Sequence, residues 1–202
     1  MATPHVHVLG DRPMTATRLL VLGAVRIFQP VHGYRIRREL AAWQAEEWAN
    51  LNPGSVYNAL RSLARDGLLA QESARGGDGT ASKVRYRLTG DGEGEFHTLL
   101  RFALWTLRPH EPEWLLAALS FWGFLPRQEA ISAMSSRRDQ LRARIATCES
   151  GLDVVRGSPF KPESVAEHFH VQIAQLRAEM DWADDAVRRL ESGAYTFADD
   201  EG

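Results

Sequence analysis

The sequence is short of several things, and each shortage excludes something. There is one cysteine, Cys148, in 202 residues, so no disulfide can close within the chain and a disulfide-stapled scaffold is ruled out. With no basic-then-apolar leader in the first residues, that single thiol makes a reducing cytoplasm the expected location. Long apolar runs are missing too. The longest cluster, residues 19–25, is bordered by Arg18 and Arg26 and falls far below the roughly 20 residues needed to cross a bilayer. A membrane is not an expected partner. Catalytic signatures are also lacking: there is no Gly-x-Ser-x-Gly elbow, no His-Glu-x-x-His and no paired cysteines. Gly90-x-Gly92-x-Gly94 has neither the Walker lysine nor the dinucleotide fingerprint and reads as a hinge. His5 and His7 sit on an irregular arm, and His168 and His170 point apart by about 200° on a helix, so neither pair makes a good metal site. No cofactor, metal or enzymatic activity is expected.

What remains is an ordinary globular composition, 44% hydrophobic and 25% charged, with room for one large or two small domains. The net charge of -2 hides an asymmetry. Residues 1–108 carry 14 basic and 10 acidic side chains, whereas residues 109–202 carry 10 and 16. A local polyanion-binding surface is therefore compatible with an acidic whole. Only Lys83 and Lys161 among the 24 basic residues are lysines; the arginine bias suits phosphate or guanine, yet base composition explains it equally well.

Residues 1–16, with two prolines and no apolar period, read as a flexible N-terminal arm. Thr17 to Phe28 has the composition of a buried helix, with Thr15 or Thr17 as cap and Pro30 beyond its end. His32 to Gln44 repeats the pattern more sparsely through Ile36, Leu40 and Trp43. Asn52-Pro53-Gly54-Ser55 then combines a good cap with proline at the first helical position, and Gly67 is placed to close that third helix after Asp66. Val56, Leu60 and Leu63 form its inward stripe, while Asn58, Arg61 and Arg65 face away with Ser55 and Tyr57 on the flanks. Leu68 to Ser73 and Lys83 to Thr89 are strand-like, joined by a glycine-rich loop containing Arg75. Three helices and a hairpin in this order make a winged helix-turn-helix over residues 17–92.

Residues 93–192 read as helical. Phe96, Leu99, Leu100, Ala103, Leu104 and Leu107 follow one helical face; Ile131, Met134, Arg138, Leu141, Ile145, Cys148 and Leu152 step by threes and fours. Ala166, Phe169, Ile173, Leu176, Met180, Ala183, Val187 and Leu190 do so without exception. Such a coiled-coil seam needs a partner, either the preceding helix, a second copy of the chain, or both; the expected use is a homodimer seam through Phe169, Ile173, Leu176, Met180, Val187 and Leu190. Residues 193–202 read as a frayed acidic tail. The fold class is thus mainly α, an N-terminal winged helix-turn-helix of three helices plus a two-stranded β-wing, followed by a helical, coiled-coil-like dimerisation domain.

In a helix-turn-helix the second helix of the motif enters the major groove while neighbouring elements grip phosphate. Ser55, Asn58 and Arg61 can meet base edges, Tyr57 can reach phosphate or stack, and Arg35, Arg37 and Arg38 can contact the backbone. Lys83, Arg85 and Arg87 share one face of the wing, with Arg75 near its tip. Residues 18–88 hold 11 basic against 6 acidic side chains, enough for a salt-sensitive contribution in a dimer. A polar face opposite an apolar stripe is ordinary on any amphipathic helix; it is the joint order of capped basic helix, glycine stop and basic hairpin that favours DNA.

Leu20 to Ala24, His32-Gly33-Tyr34, the string Asn52-Pro53-Gly54-Ser55-Val56-Tyr57-Asn58-Ala59-Leu60 with Leu63, the stop Asp66-Gly67-Leu68-Leu69, and Val84-Arg85-Tyr86-Arg87-Leu88-Thr89 with Gly92 together resemble the PadR-like transcriptional regulators over about residues 18–108. The resemblance implies a winged-helix DNA-binding domain, a C-terminal helical dimerisation region, and repression of transcription that is often relieved by a small molecule; in a dimer two recognition helices roughly 34 Å apart are expected to read an inverted-repeat operator. It also implies that Ser55, Tyr57 and Asn58 lie at the DNA. Trp105, Trp114, Phe121 and Trp122 are expected as core and interface packing, or alternatively as a slot for a flat apolar effector. Beyond about residue 110 the likeness is architectural. The competing expectation is a protein–protein adaptor that keeps the winged-helix scaffold without specific DNA binding.

Overall fold

The computed structural model of the chain describes residues 7–9, 12–49, 51–74 and 83–200. It separates into two compact units, Met1–Ala103 with Glu111–Phe121, and Leu104–His110 with Trp122–Gly202.

The first unit opens with a short antiparallel pair, β1 (His7–Leu9) and β2 (Arg12–Met14), in register from His7 opposite Met14 to Leu9 opposite Arg12. A hairpin thus stands where an irregular arm was expected; its ladder gives the backbone the hydrogen bonds that side-chain periodicity does not announce. Helix α1 (Ala16–Phe28) starts where the Thr15 hydroxyl accepts from the Arg18 N–H at 3.2 Å, and residues 19–25 are all buried. A helix apolar on all sides belongs at the centre of a unit, and α1 packs on the helices of residues 33–42, 53–65 and 112–119 and on the strand of residues 83–88.

Next come β3 (Val31–His32), α2 (Gly33–Ala42), a single turn α3 (Ala45–Trp48), and α4 (Pro53–Arg65). The Asn52 side chain accepts from the Ser55 N–H at 2.8 Å with Pro53 in the first turn, a cap worth about 1 kcal/mol. At the other end Gly67 takes φ +77°, the left-handed conformation that glycine adopts without a Cβ penalty. The wing is β4 (Leu69–Ala74) against β5 (Lys83–Leu88), and β3 pairs with the other edge of β5, giving the antiparallel order β3-β5-β4. The wing is therefore part of a three-stranded sheet rather than a free two-stranded ribbon. Val31 lies opposite Tyr86, and Arg85 has His32 on one side and Glu72 on the other. A two-residue strand is below what sequence alternation can signal.

Helix α5 (Gly90–Trp105) begins three residues before the region expected to be helical. The Gly90-x-Gly92-x-Gly94 segment is its first turns, not a hinge: Thr89 Oγ1 accepts from the Gly92 N–H at 3.0 Å. A Cβ at Gly92 would lie 2.1 Å from the Leu68 carbonyl oxygen, so close backbone approach explains that glycine. Helix α6 (Pro112–Leu119) and the ring of Phe121 complete the first unit.

The second unit is dominated by α7 (Arg127–Arg156) and α8 (Val165–Glu191), packed along each other. Ile173 and Leu176 are buried with Leu141, Ile145, Cys148 and Leu152, and Phe169 and Met180 border this core. Val187 and Leu190 are buried as well. Within one chain α7 thus covers Ile173 and Leu176 of the expected homodimer seam, while Phe169 and Met180 stay partly exposed. A heptad stripe demands a partner without saying which, and a helix joined by a short turn meets it at little loop-closure cost. Cys148 faces this interior. On α7 it is Arg137, not the stripe position Arg138, that is buried, with Nε donating to Glu179 Oε1 at 2.7 Å. Arg138 reaches Asp184 at 3.3 Å, and that hydrogen bond raises its pKa.

The acidic tail is docked rather than frayed over its described residues. Arg127 donates to the carbonyls of Leu190 and Ala194 and to Asp200 Oδ2, and stands 4.8 Å over the Phe197 ring, which is 2% exposed. One arginine thus ties the end of α8 to the segment that follows it and neutralises the tail acid. Hydrogen bonds from Arg127, then from the Phe197 N–H, hold the Asp200 carboxyl below its usual range.

Among the described residues no helix is long and apolar enough to cross a membrane, and no group of three or more His, Cys, Asp or Glu side chains is placed to hold a metal ion.

Candidate nucleic-acid interface

Helix α4 buries Val56, Ala59, Leu60 and Leu63, which leaves Asn58, Arg61 and Arg65 exposed on the opposite arc. The 3.6-residue repeat forces this division once the apolar stripe is buried. Arg61 Nη2 donates to Asn58 Oδ1 across one turn, so the two outward side chains form a unit. Ser55 Oγ donates to the Asn52 carbonyl at 2.6 Å, which leaves its lone pairs available. Tyr57 is half-buried: a Cβ at Gly33 would sit 3.1 Å from its Cε1, placing the ring against the start of α2.

The end of α4 is held by a contact that residue patterning did not reveal. Arg18 on α1 is 4% exposed, and its Nη1 lies 3.0 Å from Asp66 Oδ2. Ser62 Oγ adds a contact to the same oxygen at 3.4 Å. Breaking a buried pair strands a charge in low dielectric, so this bridge fixes α4 on α1. A sequence scan places Arg18 inside an apolar run and Asp66 at a helix stop, which are separate features until the fold joins them.

On α2 the outward residues are Tyr34, Arg35, Arg37 and Arg38, all exposed. Glu39 lies 3.8 Å from Arg35 and 3.6 Å from Arg38, so one carboxylate is shared by two guanidiniums. Arg35 also stands 5.0 Å over the Phe28 ring, a cation–π contact that steadies its stem. Tyr34, which was given no role from sequence, stacks on His32 with ring centroids 5.7 Å apart and planes 17° apart. Its signal was the solvent-facing aromatic at the start of a helix whose inward positions are Ile36 and Leu40.

The wing is less basic than its β5 strand suggests. Arg85 and Arg87 do share a face, and Glu72 on β4 meets both, at 4.0 and 3.1 Å. Cross-strand pairing of acid with base is the ordinary way a half-exposed sheet balances charge. Lys83 belongs to β5, but its side chain, like all of Arg75, lies outside the described residues.

The aromatic candidates divide two and two between the units. In the first, Phe121 packs edge-on against Trp43 and Phe96, and Trp114 against Phe102 with its Nε1 donating to Glu111. In the second, Trp122 lies tilted on Tyr195 and Phe197, while Trp105 is exposed. Packing accounts for Phe121, Trp114 and Trp122.

Residues 21–98 match the family described as the transcriptional regulator PadR-like family. No curated protein matches the chain. Among solved structures, Bacillus subtilis PadR in complex with operator DNA is similar at 18% identity, with 86% of this chain and 98% of that chain covered and a TM-score of 0.38. The PadR-like transcriptional regulator BC1756 from Bacillus cereus is 21% identical, with 88% and 99% covered and a TM-score of 0.35. Bacillus subtilis PadR in complex with p-coumaric acid is 17% identical, with 87% and 99% covered and a TM-score of 0.36. At these scores the winged-helix assignment stands on the chain's own element order and on the match over residues 21–98.

Proposed function

We propose, from the match of residues 21–98 to the transcriptional regulator PadR-like family, a cytoplasmic, sequence-specific DNA-binding repressor that acts as a homodimer. The observation that supports it most is the outward arc of α4, where Asn58 and Arg61 are exposed and pair with each other rather than with a carboxylate. Placed in a major groove, this arc meets base edges. Arg35 and Arg38 on α2 and Arg85 and Arg87 on the wing then supply backbone contacts. Tyr57 and Ser55 flank the entry of the helix, and Arg75 and Lys83 extend the basic character toward the wing tip.

One recognition helix spans only a few base pairs, too few for selectivity against a genome. Two copies reading an inverted repeat, with their helices roughly 34 Å apart, double the contact. Relief by a small apolar or aromatic effector is part of the proposal and follows from the family resemblance. Such a ligand acts by favouring an arrangement of the two copies that does not fit the operator.

The test is a mobility-shift titration of the full chain against the DNA upstream of its own gene, at several salt concentrations. Tight, sequence-dependent binding that weakens steeply with salt is expected. Equal affinity for operator and scrambled duplexes contradicts the proposal and favours an adaptor role for the scaffold.

A further inference from the structure

We propose that the Asn58–Arg61 pair makes α4 a reader of guanine, discriminating against adenine, at the base facing Asn58. The inference rests on the DNA-binding reading above and goes beyond it to the chemistry of the base that is read.

Asparagine in a major groove ordinarily reads adenine. Its amide oxygen accepts from the adenine N6 amino group while its NH2 donates to N7. Here the amide oxygen is already engaged, because Arg61 Nη2 donates to Asn58 Oδ1. The orientation of that amide follows from chemistry alone. A guanidinium has only donors, so the asparagine must turn its oxygen, and not its NH2, toward Arg61. The oxygen keeps a second lone pair, but that lone pair lies beside a positive charge, which opposes the approach of another N–H. What the pair offers outward is the two N–H donors of Asn58 and the remaining N–H donors of Arg61.

A surface of donors complements a base edge made of acceptors. Guanine presents two of them, N7 and O6; adenine presents one acceptor beside a donor, and cytosine a donor. Thymine offers a single acceptor beside its methyl group. Guanine is therefore the best match, and the positive charge of the unit strengthens the preference. Among the described residues no carboxylate lies within ion-pair distance of Arg61, and both side chains are exposed. The guanidinium therefore keeps its charge for the nucleic acid. The pairing residues are one turn apart on the same helix, so the arrangement exists before DNA arrives and needs no rearrangement of the backbone.

The experiment is selection of duplexes from a randomised pool by the full chain, with Asn58→Ala and Arg61→Ala carried through in parallel. Both substitutions are on the exposed arc, and thermal melts confirm that the variants fold. The base position whose preference disappears in Asn58→Ala is the one Asn58 faces. The wild-type chain is expected to select guanine there over adenine by roughly 5- to 150-fold. Arg61→Ala frees the amide oxygen, and the preference is expected to move toward adenine. Adenine at that position in the wild-type pool overturns the inference, as does an unchanged guanine preference in Arg61→Ala, or an Asn58→Ala pool identical to wild type. Failure of the wild-type chain to enrich any duplex removes the DNA-binding reading itself, and with it this inference. That outcome is distinct from enrichment with the wrong base.

Discussion

Helix α4 and the pair α7–α8 look alike when written out, since each carries arginines among the residues of an apolar stripe, but they differ in where the arginines go. In the second unit several meet carboxylates of the same unit: the buried Arg137 with Glu179, and Arg138 with Asp184, Arg177 with Glu149 and Arg188 with Asp185. On α4, Arg61 meets a neutral amide, whereas Arg65 stands 3.9 Å from Asp66 Oδ1 while Asp66 Oδ2 lies 3.0 Å from the buried Arg18. An outward arginine becomes a functional signal only after the acids around it have been accounted for. On α4 that leaves Arg61, and not Arg65, with its charge uncompensated among the described residues.

The comparison can be strained first at its strongest joint. Asp66→Ala leaves Arg18 buried without its counter-ion, and a loss of about 3 to 5 kcal/mol is expected, read from urea unfolding. A loss under about 0.5 kcal/mol would show that Arg18 escapes to water and that α4 is not anchored by it. Leu176→Ala opens the α7–α8 core and should cost about 2 to 5 kcal/mol. Because Leu176 is buried against α7 of its own chain, the size of that loss should not vary with protein concentration; a concentration-dependent loss would place Leu176 at a contact between copies.

Arg61→Ala should leave the melting curve in place and weaken specific DNA binding by about 1 to 3 kcal/mol, or flatten the salt dependence if the contact is to phosphate. Unchanged affinity and unchanged salt slope would take Arg61 out of the interface. The wing offers a smaller effect of opposite sign. Glu72→Gln releases Arg85 and Arg87 from their shared acid and should tighten binding by less than about 1 kcal/mol, most visibly at low salt. Weaker binding in that variant would mean that Glu72 holds the arginines in their working positions.

The smallest effect expected is in acid, at the tail. The Asp200 carboxyl is held below its usual range by Arg127, so its folded value is the lower of the two. Its contribution is complete above the unfolded value of about 3.9 and is lost as pH falls through the folded one. The NMR signal of the Phe197 amide, which donates to Asp200 Oδ2 at 2.8 Å, should hold steady from neutral pH to about pH 4 and move only below it. Movement near pH 6 would assign the titration to another group.

Much of this architecture was legible from residue order, for reasons that are local. Asn52-Pro53 and Gly67 bracket α4 because capping and left-handed closure act within one turn, and the Val56, Leu60, Leu63 stripe fixes which arc is outward. Features set by distant partners were not legible. β3 is two residues long and exists because β5 has a free edge beside it. The docked tail depends on Arg127, more than 60 residues upstream of the carbonyls it satisfies, and the Arg18–Asp66 bridge spans 48 residues. The seam of α8 was plain in its periodicity, but periodicity carries no information on which helix fills it. At the site, Asn58 and Arg61 were identified as outward residues, while their mutual hydrogen bond and the balancing of Arg85 and Arg87 by Glu72 required coordinates.

The central claim is that the outward arc of α4 is the surface that lies on DNA. Side-chain oxidative footprinting of the full chain, free and saturated with a selected duplex, tests it most directly. Protection concentrated on Tyr57 and on the peptide carrying Asn58, Arg61 and Arg65 is the predicted result, with the exposed Phe160 at the α7–α8 turn unchanged as the internal control. Saturating DNA that leaves α4 as reactive as in the free chain, while protecting the second unit, would contradict the account.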